Sequence, residues 1–224
     1  MPGYYADKLA ADRLRRCYEL APPPTRAYLR AEIDFVRERC RATMSLLELG
    51  CGYGRVLLGL RGAARWMVGI DTSPASLALG CEARDTADRI DLLAMDATRL
   101  GFAAQCFDLV VCIQNGISAF GVDRTALVRE AIRVTRPGGR ALFSSYAAGF
   151  WEDRLEWFRI QADHGLIGEI DWTATGGGVI VCTDGFRATT VGREEFRALA
   201  RALGVAAEIT EVAGSSLFCE FQAS

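Results

Sequence analysis

The chain has 224 residues, half of them hydrophobic, with 26 basic and 28 acidic side chains and a formal charge of −2. That is enough apolar material for one sizeable core. The near balance of charge, with a pI of about 5.6, gives no basic footprint for nucleic acid, and no apolar run is long enough to cross a bilayer.

The segment Met1–Lys8 lacks the charged-then-apolar order of a secretory signal, so the expected compartment is the cytoplasm. Eight cysteines are present. Cys112, Cys182 and Cys219 fall in strand-like runs, where cysteine behaves as a small buried hydrophobe. With no C-x-x-C pair and a single histidine, His164, the expectation is reduced thiols and no metal site.

Residues Asp7 to Leu20 have helical spacing, and Ala21-Pro22-Pro23-Pro24 stops that helix. Thr25 is a candidate cap for a second helix reaching about Arg41, with Leu29, Ile33 and Val36 inward. This helical pair either folds over the site that follows or covers a sheet edge. Tyr4, Tyr5 and Tyr18 are the candidates for ligand contact.

The apolar run Leu46-Leu47-Glu48-Leu49 reads as a buried strand. It enters Gly50-Cys51-Gly52-Tyr53-Gly54 and then the helical Arg55-Val56-Leu57-Leu58. Strand, glycine turn and helix N-terminus together make a site for a nucleotide-like ligand. Arg55 occupies the third-glycine position of a dinucleotide fingerprint, and the only lysine, Lys8, is far from any P-loop. A second strand, Arg65–Ile70, ends in Asp71, placed to accept from ribose hydroxyls. Thr72-Ser73-Pro74 then starts a helix, with Ser73 as cap. Ile90–Met95 is a third strand closed by Asp96-Ala97. Cys106–Ile113 is a fourth, running into Gln114-Asn115-Gly116-Ile117-Ser118. Asp123 caps a helix to Val134, Arg136-Pro137-Gly138-Gly139 ends it, and Arg140–Tyr146 is the fifth strand.

The E-x-G-x-G-x-G run, the acids at the ends of strands two and three, the polar exit of strand four and the R-P-G-G turn occur in order over residues 44–146. In this they resemble class I S-adenosylmethionine-dependent methyltransferases. The resemblance implies an α/β, Rossmann-like seven-stranded sheet, parallel except for an antiparallel C-terminal strand, with helices on both faces. It also implies S-adenosylmethionine as cofactor and S-adenosylhomocysteine as product. Gly50, Cys51, Gly52 and Gly54 would lie against the methionine part and ribose, and Glu48 would orient the amino group. Asp71 and Thr72 would hold the ribose, Asp96 and Ala97 the adenine, and Gln114 and Asn115 would border the reacting methyl. Cysteine at the place of Cys51 is common in the family without chemical use.

Beyond Tyr146, Phe150 to Gln161 reads as an aromatic-rich helix. Ile167–Trp172, Val179–Cys182 and Phe186–Val191, with the turn Asp184-Gly185, read as a small antiparallel excursion inserted after strand five. Such an insertion either roofs an acceptor pocket or only packs. A closing helix, Arg193–Leu203, precedes a hairpin of Val205–Val212 and Leu217–Gln222. The expectation is one domain over residues 1–224: helical lid 1–43, cofactor core 44–146, cap insertion 147–192, and C-terminal helix and hairpin 193–224. The expected activity is in-line methyl transfer to a small-molecule acceptor at N, O or S, an amine being favoured by likeness to small-amine N-methyltransferases around Asn115. The protein would be a monomer or homodimer, without nucleic-acid or membrane partners. A protein or RNA methyltransferase, or a non-catalytic cofactor-binding partner protein, is the alternative. Asn115, Tyr146 and His164 are the candidates for catalysis. Tyr146 and Trp151 join the N-terminal tyrosines and Asn115 as pocket candidates, and Glu169 and Asp171 could hold a cationic acceptor.

Overall fold

The computed structural model describes residues 4–223, so the ends of the expected lid and hairpin, residues 1–3 and Ser224, lie outside the described residues. In chain order the elements are α1 (Tyr4–Asp7), α2 (Ala11–Glu19), α3 (Pro23–Arg37), β1 (Ser45–Leu49), α4 (Arg55–Gly59), β2 (Trp66–Asp71), α5 (Pro74–Ala83), β3 (Ile90–Ala94) and β4 (Phe107–Cys112). They continue with α6 (Gly116–Ala119), α7 (Arg124–Val134), β5 (Thr135–Tyr146), α8 (Trp151–Asp163), β6 (Ile180–Val181), β7 (Arg187–Ala188), α9 (Arg193–Leu203), β8 (Ala207–Val212) and β9 (Ser216–Gln222).

Seven strands form one sheet in the order β3-β2-β1-β4-β5-β9-β8. The first five are mutually parallel, and β9 runs antiparallel to both β5 and β8. The alternation of side chains along each strand divides the core in two. Leu47, Val68, Val110, Phe143 and Phe221 pack with α7 and α9 on one face. Leu46, Met67, Val111, Leu142 and Phe218 pack with α3, α4 and α5 on the other. Strands buried on both faces explain the unbroken apolar runs of the sequence. The expected α/β architecture is the one observed.

A third apolar cluster is built by segments remote in sequence: Leu9 and Cys17, Tyr28 and Leu29, Trp157 and Phe158 of α8, and Ile180, Cys182 and Phe186 of the insertion. Trp157 Nε1 donates to Cys17 O at 2.9 Å, tying α8 to α2. The N-terminal helices and the insertion therefore form one cap.

Local details differ from expectation. The first helix is split between α1 and α2, because Ala11 takes φ +50° and donates its N–H to Ser76 Oγ at 2.9 Å. Thr25 does not cap α3. That helix starts three residues earlier with Pro22 in the cap position, where missing N–H groups cost nothing, and Thr25 is buried within it. Arg136–Gly139 lies within β5 as an irregularity in its pairing with β4 rather than as a free turn. Only two-residue β6 and β7 form in the insertion, and Ile167–Trp172 contributes a single bridge, Ile170 to Cys182. Ser73 and Asp123 cap α5 and α7 as expected. The eight cysteines are unpaired, and among the described residues no helix is long and apolar enough to cross a membrane.

Candidate cofactor and acceptor site

A cavity of about 290 Å³ opens where β1, β2 and β3 end, between the sheet and the cap. Carboxyl ends of parallel strands are where such sheets bind ligands. Gly50, Gly52 and Gly54 take φ of +73°, +55° and +78°, a conformation open to glycine at little cost. At Gly50 a side chain is also excluded by space, since an added Cβ would lie 2.2 Å from Phe120 Cζ. The bend is held to β2 from both sides of the chain. Ile70 O accepts from the N–H groups of Gly50 and Cys51, and Asp71 Oδ2 accepts from Gly52 N at 2.8 Å.

Asp71, with Thr72, lines the cavity, and its other oxygen accepts from Ser73 N at 2.8 Å, so it also braces the start of α5. Asp96 and Ala97 line the same cavity, and Asp96 Oδ1 accepts from the backbone and hydroxyl of Thr98, both at 2.8 Å. Glu48 is 4% exposed, and its Oε2 has no hydrogen-bond partner. Burial pushes its carboxyl up to about 8, against the opposing pull of Arg55. Cys51 is walled in, and burial raises its thiol well above the usual range, which makes it inert.

Gln114 and Asn115 both take left-handed backbone, φ +57° and +62°, a strain maintained by bonds on every side. Gln114 N donates to Glu32 Oε2 at 2.6 Å and to Ser144 Oγ at 2.8 Å. Its side chain lines the cavity, where Nε2 has no partner.

Several candidates do not reach this cavity. Asn115 is buried and turned away: its amide donates to Thr189 O at 2.9 Å and accepts from Ser145 Oγ at 2.8 Å. His164 closes the C-terminus of α8, is exposed, and has Nδ1 at 2.8 Å from Ile160 O, off the cavity wall. Tyr4 is held by its hydroxyl on Asp184. Gly54 is the N-terminal cap of α4, behind the wall. Trp151 lines a second cavity. Glu169 is exposed, and Asp171 spends its carboxylate on Thr173 and Ala174. For Asn115, His164, Tyr4 and Asp171 a nearer backbone or side-chain partner has captured the polar group.

Tyr5, Tyr18 and Tyr146 do line the cavity, with Tyr28, Trp157 and Phe158 of the cap beside them. Burial raises the phenols of Tyr5, Tyr18 and Tyr146, so they are neutral donors rather than bases. Arg55, noted in the sequence only for spoiling another motif, also lines the wall. Its guanidinium carbon is 4.3 Å from the centre of the Tyr18 ring, with Nε and Nη2 buried and unpartnered. Glu32 is fully buried behind Gln114, and burial carries its carboxyl up to about 7. The position of Glu32 between Leu29 and Val36, on the inward face of a helix, was its available signal.

Residues 46–139 match the model of a methyltransferase domain family. In this stretch and in its sheet order the chain is similar to class I S-adenosylmethionine-dependent methyltransferases. The demethylmenaquinone methyltransferase of Mycolicibacterium vanbaalenii is 40% identical over 102 residues, 46% of this chain and 42% of that protein. The chain thus matches less than half the length of that curated relative. A Pyrococcus horikoshii protein of known structure superposes over 99% of this chain and 98% of its own, with a TM-score of 0.67 at 19% identity. A SAM-dependent methyltransferase from Methanosarcina mazei does so over 84% of this chain and 97% of its own, with a TM-score of 0.62 at 16% identity. The donor set fits the family's cofactor. A buried carboxyl, a buried guanidinium edge and an amide, all short of partners, would suit a zwitterionic amino-acid end, and the acids at the ends of β2 and β3 would suit a nucleoside.

Proposed function

We propose that this chain binds S-adenosylmethionine in the 290 Å³ cavity and moves its methyl group to a small-molecule acceptor at N, O or S. One observation carries the reading: the glycine bend, Asp71 and Asp96, separated in sequence, face the same hollow. Glu48 would take the ammonium of the methionine part and Arg55 its carboxylate. Asp71 would hold ribose, and Asp96 with the Ala97 backbone the adenine.

When bound, the cofactor supplies an electrophilic methyl on a positive sulfur, and transfer leaves a neutral thioether. The protein's part is alignment and exclusion of water, which can lower a barrier by about 7 kcal/mol or more for a well-oriented pair. Tyr18, Trp157 and Phe158 of the cap, with Tyr146 at the end of β5, form an aromatic wall of the cavity. It supports an acceptor of small-molecule size rather than a protein or RNA strand. Neutral tyrosines orient by donating hydrogen bonds, and no buried side chain need act as a strong base toward an amine or thiolate. Asn115, committed to Ser145 and Thr189, gives no support to an amine over other acceptors.

The test is thermal unfolding with S-adenosylmethionine and with S-adenosylhomocysteine. Both raise Tm by mass action on the folded state, and absence of any shift at millimolar ligand overturns the reading.

A further inference from the structure

Arg154, on α8, is 1% exposed and is among the largest fully buried side chains of the protein. Its surroundings are the rings of Tyr146, Trp151 and Phe158, at 4.5, 5.9 and 5.6 Å from the guanidinium carbon. Among the described residues no carboxylate pairs with it. Its single hydrogen bond runs from Nη1 to Gly178 O at 2.9 Å, while Nε and Nη2 have no partner. These two groups form one edge of the guanidinium, the edge that grips a carboxylate or phosphate through two parallel bonds. A buried charge is normally paired, and burial alone already pulls the basicity of Arg154 down.

Arg154 is one of the residues bounding a second cavity of about 600 Å³, with Tyr146, Trp151, Gly177, Gly178 and Glu211 among others. Tyr146 borders both this cavity and the cofactor cavity. Tyr146, whose ring centre is 4.5 Å from the Arg154 guanidinium carbon, is therefore a wall common to the two cavities.

We propose that the second cavity is the acceptor's anion subsite, and that the acceptor carries a carboxylate gripped by the Nε/Nη2 edge of Arg154. The assignment rests on the methyltransferase reading for the word acceptor, and on Arg154 alone for the anion. A carboxylate and a phosphate share the chemistry of a two-toothed oxyanion. The carboxylate is chosen because Arg154 is the one buried cation on this wall and Glu211 stands on it too, an arrangement that disfavours a dianion. Arg193, the other cation there, is exposed and donates to Ile209 O at 3.0 Å.

The experiment uses the full chain, with thermal unfolding and calorimetry as readouts. Benzoate, benzamide and inorganic phosphate are titrated into free protein and into protein loaded with S-adenosylhomocysteine. Benzoate is expected to raise Tm and benzamide, its uncharged counterpart, to leave it unchanged. Arg154→Met and Arg154→Lys are each expected to weaken benzoate by about tenfold or more, the scale of hydrogen bonds to a charged partner, while keeping the response to S-adenosylhomocysteine. Because the free enzyme holds an unpaired buried charge, Arg154→Met should unfold at the same temperature as the natural chain or higher. A purely structural arginine would give a lower Tm in that variant. Equal shifts with benzoate and benzamide, an undiminished benzoate response in Arg154→Met, or a lowered Tm in that variant each overturn the proposal. A larger shift with phosphate than with benzoate overturns the carboxylate assignment. Failure of S-adenosylhomocysteine alone to shift Tm sinks the methyltransferase reading instead, and leaves the benzoate result to decide the anion site.

Discussion

Glu48 is the residue at which a number can be put on cofactor capture. Its carboxyl sits at the end of the central strand, 4% exposed, and is pushed by burial up to about 8. At pH 7 a group of that pKa is about one-tenth ionised, so holding an ammonium there costs about 1 kcal/mol relative to a fully ionised carboxylate. Ligand binding should therefore expel close to one proton per site near pH 7. Affinity should climb nearly tenfold from pH 6 to pH 7, flatten near pH 8, and fall beyond, where the ligand's own amino group loses its proton. Calorimetry of S-adenosylhomocysteine in buffers of different ionisation enthalpy counts the protons directly. Glu48→Gln removes the titrating group at nearly constant volume and should erase both the rising limb and the proton release. A natural chain without proton release, or a Gln variant with the same rising limb, refutes the assignment of the ammonium to Glu48.

Gly50→Ala should abolish cofactor binding and lower Tm, since the new methyl would lie 2.2 Å from Phe120 Cζ on backbone of φ +73°. Adding Phe120→Ala should recover part of the stability lost to the clash but none of the part lost to the backbone, and full recovery would refute the conformational half of the argument. Glu32 and Glu48 both have raised folded-state pKa values, about 7 and about 8. Their sign is therefore the reverse of the usual carboxylate: stability is fully present below the unfolded pKa near 4.5 and is lost as pH rises through 7 to 8. For Glu32 the shift corresponds to ~3 kcal/mol, so Tm of the ligand-free chain should fall between pH 5 and pH 8, and Glu32→Gln should flatten that fall.

The sheet was legible in the sequence because its five parallel strands are buried on both faces, and each ends in a residue that parallel topology must place at one edge. Asp71 and Asp96 needed no tertiary knowledge to be put beside the glycine bend. The cap was not legible in that way. Arg55, Glu32 and Arg154 have their roles set by what packs above them, and those neighbours come from segments as distant as α2, α8 and β9. Asn115 and His164 lie off the cavity wall for the complementary reason. A polar side chain at a suggestive position bonds to the nearest partner the fold supplies, here Ser145 and Thr189 for one and Ile160 for the other. Strand ends announce geometry; cap residues acquire it.

The same division bears on what can be carried over from relatives. The matched family region ends at residue 139, before Tyr146, Arg154, Trp157 and Phe158, and it begins after Tyr18, Tyr28 and Glu32. Tyr18, Tyr28, Tyr146, Trp157 and Phe158 therefore lie outside the matched stretch, whereas the glycine bend, Asp71 and Asp96 lie inside it. On the proposed function, cofactor choice would go with the sheet and acceptor choice with the cap. The two should respond separately to mutation: changes at Asp71 or Glu48 should alter cofactor affinity for any acceptor, and changes at Arg154 should alter the acceptor while leaving S-adenosylhomocysteine affinity in place. A variant of Arg154 that lost both together would place the two cavities in one cooperative unit instead.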